Sequence, residues 1–191
     1  MLAAAVHLAG PLGFLLLFAL VAGESSGLPI PGETALIAGG VAANHGRFPI
    51  VAVIAVAAAG AIVGDNIGYT IGRTGGRRLL ERPGPFRERR REILRRGEPF
   101  FERHGPPAVF LGRWVAGLRI AAAWLAGINR MHWPTFAFWN ALGGIAWATS
   151  VGLLAYVLGP AAERIVKTVG IAGVAVAVVA VVGFVLWRRR R

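Results

Sequence analysis

Long apolar runs dominate the chain, and they come in two kinds. Residues 2–23, 48–72, 133–158 and 169–187 are apolar almost throughout. Each has about the 20 residues that an α-helix needs to cross a hydrocarbon layer ~30 Å thick. Residues 28–44 and 106–127 are also apolar but are interrupted, the first by Pro29, Pro31 and Gly32 and the second by Gly117. Proline removes a backbone donor, and glycine weakens a helix. Non-helical backbone at membrane depth persists only where protein surrounds it or where it lines a cavity. Both stretches are therefore expected as re-entrant hairpins. The fold class that follows is all-α integral membrane. It has about four transmembrane helices, two oppositely oriented re-entrant hairpins, and an interfacial amphipathic helix over Phe86–Phe101, where charges predominate.

A faint internal repeat supports the hairpin reading. Asn44 and Pro49 correspond to Asn129 and Pro134, and Gly60, Gly68 and Gly75 to Gly144, Gly152 and Gly159. A hairpin followed by a span, repeated in opposite orientation, is the inverted-repeat plan of secondary transporters. The whole of 1–191 is read as one membrane domain. Within it, 73–105 is a basic segment and 169–191 a last helix with an arginine tail.

Composition and charge decide the orientation. The chain is 55% apolar and carries 27 glycines, which suit close helix packing. It has no cysteine, which excludes disulfides, thiolate metal sites and cysteine nucleophiles. A net charge of +12 would suit a nucleic-acid binder, but the distribution argues otherwise. Eleven of the 21 Lys+Arg lie between Arg73 and Arg103, and four more form the tail Arg188–Arg191. Basic residues beside apolar spans mark the cytoplasmic face, where they meet anionic headgroups first. No nucleic-acid partner is expected. With both clusters inside, hairpin 28–44 enters from outside, hairpin 106–127 from inside, and both termini are cytoplasmic. No Lys or Arg precedes the first apolar run, so it is read as a retained helix rather than a cleaved signal.

The candidate chemistry lies in the few charges outside the basic segment. Of nine Asp+Glu, five lie within that segment, and Glu163 falls in a short outer loop. Glu24, Glu33 and Asp65 remain in or beside apolar stretches, with Arg113 and Arg119 as basic counterparts in the second hairpin. A charge at the bilayer centre costs roughly 2.5–3.5 kcal/mol on insertion scales, so such residues are functional candidates by default. The functional reading gives Arg113 and Arg119 an anionic phosphate and gives Glu24, Glu33 and Asp65 a coupling proton or sodium ion. The structural alternative is that the carboxylates sit at the interface or pair with the two arginines to fix the fold. Other signals are weaker. Gly23–Gly27 fits G-x-S-x-G, but that pattern needs a strand–turn–helix setting. His7, His45, His104 and His132 show no metal-ligand spacing. Gly64, Gly68 and Gly72 form a small-residue stripe suited to packing. No phosphate-binding Gly-rich loop with a lysine is present. Neither a metal nor a cofactor is expected, nor is an enzyme.

Five stretches resemble the DedA family, also called SNARE-associated or VTT-domain proteins. They are E-x-x-GLPIPGE (24–33), GDNIGYTIGRTGG (64–76), FLGRWVAGLR (110–119), LAGINRMHW (125–133) and FWNALGGIAW (138–147). The resemblance covers about residues 10–160. It implies a bacterial inner-membrane protein that moves lipids between leaflets, with undecaprenyl phosphate or a glycerophospholipid as cargo, and with links to membrane potential and drug tolerance. It further implies that Glu24, Glu33, Arg113 and Arg119 match the family's essential acids and arginines. Asp65 and Tyr69 fall in its G-D-x-x-x-Y stretch. Ala116-Gly117 stands where the family has Pro-Gly. The function expected is thus a lipid flippase or scramblase coupled to the proton or sodium gradient. Alternatives are an ion-coupled small-solute transporter, a membrane lipid phosphatase, and a packing scaffold. The partners expected are membrane lipids, with a homo-oligomer left open.

Overall fold

The computed structural model describes residues 2–81, 99, 101, 103–115, 118–159 and 161. The expected interfacial helix 86–101, the span 169–187, the arginine tail, Glu163 and the Gly117 break lie wholly or largely outside the described residues. Among those described, every regular element is helical. We label them α1 (Leu2–Ser26), α2 (Gly32–Asn44), α3 (Ile50–Glu81), α4 (Ala108–Gly112), α5 (Leu118–Ile128) and α6 (Trp133–Leu158).

Local chemistry explains where these helices begin and end. Gly27, at φ 111°, turns the chain out of α1. Leu28 and Ile30 each precede a proline, which disfavours the helical region for both. Helix α6 carries Pro134 in its first turn, where a missing N–H breaks no hydrogen bond, and stops at Gly159 with φ 44°. Two stretches are long and apolar enough to cross a membrane, Ile50–Gly75 and Trp133–Leu158; Gly10–Ser26 is a shorter apolar helix.

Glycine contacts along α3 give the helix directions. Gly13 of α1 faces Phe48, Gly60 of α3 faces Phe18, and Gly64 faces Ala22 and Ser25, so α1 runs parallel to α3. Helix α2 returns: Gly32 meets Leu20 and Val21, and Gly39 lies between Leu17 and Val53. On the far half of α3, Gly68 and Gly72 receive Trp124 of α5, and Gly127 packs on Tyr69 and Arg73. Gly112 of α4 meets Ala122 of α5, so these two also form a hairpin. Helix α6 is antiparallel to α3, with Gly144 facing Ala58 and Ile62, and Gly152 facing Ile54. Two helical hairpins, α1–α2 and α4–α5, thus approach α3 from opposite ends, and their tips meet beside its middle.

Two expectations need correction. Residues 28–44 do not fold back on themselves: a single helix fills 32–44, and its antiparallel partner is α1. The run 2–23 does not stop at 23 either. It continues to Ser26, ending level with Gly64 as one arm of that hairpin. Asp65 lies midway along α3, which carries the expected apolar span, Ile50–Gly75, and continues past it to Glu81.

Each hairpin has its own core. One gathers Leu17, Val21, Leu36, Val53 and Trp147. The other gathers Tyr69, Leu125, Ala126 and Phe136. The polarity is inverted relative to a water-soluble protein. Val51 is 74% exposed and Val157 76%, whereas Asp65 and Arg113 are buried. An apolar exterior around buried charges suits hydrocarbon as the solvent.

Candidate functional site

All five charged candidates converge where the hairpin tips meet. Glu24 comes from the last turn of α1, Glu33 from the first turn of α2, and Arg119 from the first turn of α5. Arg119 bridges the two glutamates: Nη2 donates to Glu24 Oε1, and Nη1 donates to Glu33 Oε2 at 2.5 Å. Its guanidinium carbon lies 5.3 Å from the centre of the Trp147 ring, a cation–π distance. Glu24 also accepts the Glu33 backbone N–H at 2.7 Å through Oε2. One carboxylate therefore binds the start of α2 with one oxygen and the opposite hairpin with the other. Gly32 makes this approach feasible: a Cβ there would sit 2.6 Å from Glu24 Oε2 and 2.7 Å from the Leu20 carbonyl oxygen. Pro29 and Pro31 lie in the turn between α1 and α2.

A second cluster lies deeper. Arg113, at the end of α4, donates through Nη2 to Asp65 Oδ2 and to Asn140 Oδ1, the latter at 3.2 Å. Asn140 in turn donates to the Ile62 carbonyl at 3.1 Å. The Arg113 and Asp65 side chains are 3% and 6% exposed. In the Arg119 cluster the values are 22% for Arg119, 16% for Glu24 and 46% for Glu33. The buried Arg113 Nε–H has no hydrogen-bond partner among the described residues. Of the two clusters, the Arg119 one is the more exposed.

Trp124, which the sequence did not single out, closes the junction, and Tyr69, which the resemblance marks, ties the α5–α6 turn to α3. Trp124 Nε1 donates to the Ser26 carbonyl at 3.0 Å, and its indole covers Gly27. Tyr69 Oη donates to the Met131 carbonyl at 2.5 Å, and Arg73 Nη1 donates to both Tyr69 Oη and that carbonyl. Asn140 is a polar residue inside an apolar span, but being uncharged it does not stand out in the sequence. Trp147 and Trp124 carry no signal beyond ordinary core aromatics.

The remaining candidates behave as follows. Ser25 and Ser26 lie within helix α1, and Ser26 Oγ donates to the Gly23 carbonyl, so G-x-S-x-G lacks its strand–turn setting. Among the described residues no group of three or more His, Asp and Glu is arranged to hold a metal ion. The glycine stripe on α3 packs as expected.

The VTT domain family model matches residues 30–157. An uncharacterized membrane protein of Synechocystis is 40% identical over 153 residues, covering 80% of this chain and 70% of that protein. An uncharacterized membrane protein of Mycobacterium tuberculosis is 37% identical over 187 residues, covering 93% and 84% respectively. Protein DedA of Escherichia coli is 32% identical over 134 residues, covering 68% and 60%. No solved structure matches.

Proposed function

The chain belongs to the VTT-domain, or DedA, family, whose matching relatives are named as membrane proteins, and on that premise we propose that it carries a phosphate-bearing lipid between leaflets. The carrying observation is Arg119. It stands where two oppositely entering hairpins meet, it is partly open, and two carboxylates from the other hairpin hold it. A guanidinium matches a phosphate with paired donors, and it retains its charge at any physiological pH. Broken helices at mid-depth suit a site reached from either face in turn.

In this reading α3, α6 and the run 169–187 embed the chain in a bacterial inner membrane, with the basic segment and the arginine tail cytoplasmic and the hairpins re-entrant. Because α1 runs parallel to α3 and enters with α2 from the Phe48 end, the N-terminus lies on the opposite face, which corrects the expectation of two cytoplasmic termini. The cargo is undecaprenyl phosphate or a glycerophospholipid. Protonation or sodium binding at the carboxylates couples its movement to an ion gradient. Arg113 serves the site indirectly, by holding Asp65 and Asn140 against the second hairpin's tip. A second reading, transport of a small phosphate-like anion, rests on the same guanidinium, because Arg119 recognises the headgroup and not the tail.

Proteoliposomes containing labelled undecaprenyl phosphate or phospholipid test the proposal. Wild-type protein is expected to move lipid at a rate that responds to an imposed pH or sodium gradient. Glu24→Gln and Glu33→Gln are each expected to abolish that response. A wild-type rate indifferent to both gradients would identify an equilibrating scramblase, with the carboxylates serving binding or structure.

A further inference from the structure

The two glutamates on Arg119 are not equivalent. Glu24 is 16% exposed and has a second tie, the hydrogen bond from the Glu33 backbone N–H. The Glu33 side chain is 46% exposed, and the one hydrogen bond described for it comes from Arg119 Nη1. With all three groups ionised, two negative charges face one positive charge. The guanidinium face toward Trp147 is covered. An incoming anion therefore meets local repulsion, and of the two acceptors on Arg119 the more exposed is Glu33.

We infer that Glu33 competes with the phosphate of the cargo for Arg119 Nη1, while Glu24 keeps hold of Nη2 and fixes the guanidinium in place. This rests on the reading of Arg119 as the anion contact. Binding then consists of an exchange of acceptors on one donor: the phosphate oxygen replaces the Glu33 carboxylate, and the Glu24–Arg119 tie between the hairpins persists. The exchange keeps the empty site closed to stray anions, because any ligand must displace an internal carboxylate. It also gives the glutamates opposite signatures, since removing the charge of Glu33 favours the ligand and removing that of Glu24 frees the arginine.

The test uses the full chain in detergent, with dihexanoyl phosphatidic acid, dihexanoylglycerol and inorganic phosphate as probes in calorimetric titrations. Making the site one unit less negative beside a half-exposed group is expected to tighten phosphatidic acid binding about tenfold in Glu33→Gln, a screened fraction of the contact Coulomb energy. Glu33→Ala is expected to shift affinity the same way and serves if the glutamine variant does not fold. Glu24→Gln is expected to bind no more tightly than wild type, and Arg119→Gln to lose binding in every background. Dihexanoylglycerol is expected not to bind. Inorganic phosphate binding as tightly as phosphatidic acid would keep the exchange but assign it to a free anion. Unchanged or weaker affinity in both Glu33 variants, with binding still dependent on Arg119, would overturn the exchange and leave the proposed function standing. Phosphatidic acid binding indifferent to Arg119→Gln would overturn both.

Discussion

The two arginines occupy different solvents, and their variants should fail differently. Arg113 lies against Asp65 with both side chains almost wholly buried. Removing one partner of such a pair leaves the other charge unmatched, a loss of about 3–5 kcal/mol. Arg113→Ala is therefore expected to lower the unfolding temperature in detergent sharply, and adding Asp65→Asn to restore much of it. Arg119 is partly open, so Arg119→Ala is expected to remove lipid movement with a smaller change in unfolding temperature. Equal stability losses in the two single variants would contradict this division. The sequence marked all five charges as exceptional because each stood in an apolar setting. It did not sort them into pairs, because partners such as Glu24 and Arg119 are brought together only by the meeting of two separate hairpins.

At the scale of elements, α3 acts as a rail with a seat for each neighbour. Gly60 and Gly64 seat α1, and Gly68 and Gly72 seat α5. A side chain at Gly72 would be driven into the Trp124 backbone. Gly72→Leu is expected to lower the unfolding temperature by about 5 °C or more through overpacking. Gly10→Ala is the control, since nothing lies within 4 Å of a Cβ there, and it is expected not to lower stability and to raise it slightly through helix propensity. The prolines and glycines announce a break at 29–32, but not that it joins α2 to α1 instead of folding 28–44 on itself. Whether α1 crosses the bilayer or stops halfway was not legible, because an apolar helix looks the same in sequence either way. The extension of α3 beyond its apolar span was not legible for a similar reason. Arginine, leucine and glutamate are good helix formers, so the onset of charge at Arg73 does not end the helix.

At the scale of the whole molecule, the hairpins' outer connections point to opposite ends of α3. The α2–α3 turn lies beside Phe48, and the α5–α6 turn lies by Arg73. The chain has no native cysteine, so single labels are unambiguous. His45→Cys is expected to react with an impermeant thiol reagent from one side of the membrane and Asn129→Cys from the other. Labelling of both from the same side would exclude the opposed arrangement. The repeat was faintly legible because turn residues recur at matching positions. The units' interlocking was not, since α2 packs on α6 and α5 on α3, across the repeat boundary.

The ion pairs at the junction separate by sign. Glu24, Glu33 and Asp65 all belong to the first unit, and Arg113 and Arg119 to the second. During synthesis the first unit leaves the ribosome earlier, carrying three acids whose partners do not yet exist. Until the second unit arrives, those acids face lipid unmatched, which is unfavourable by a few kcal/mol for each one at the bilayer centre. The half-made chain should therefore be a transient that the insertion machinery shelters and that membrane proteases recognise. A fragment ending after Glu81 is expected to be degraded when produced alone and to accumulate when residues 82–191 are made alongside it, as pulse-chase labelling would record. Such a division lets neither half settle without the other, so the last step of assembly is also the step that neutralises the site.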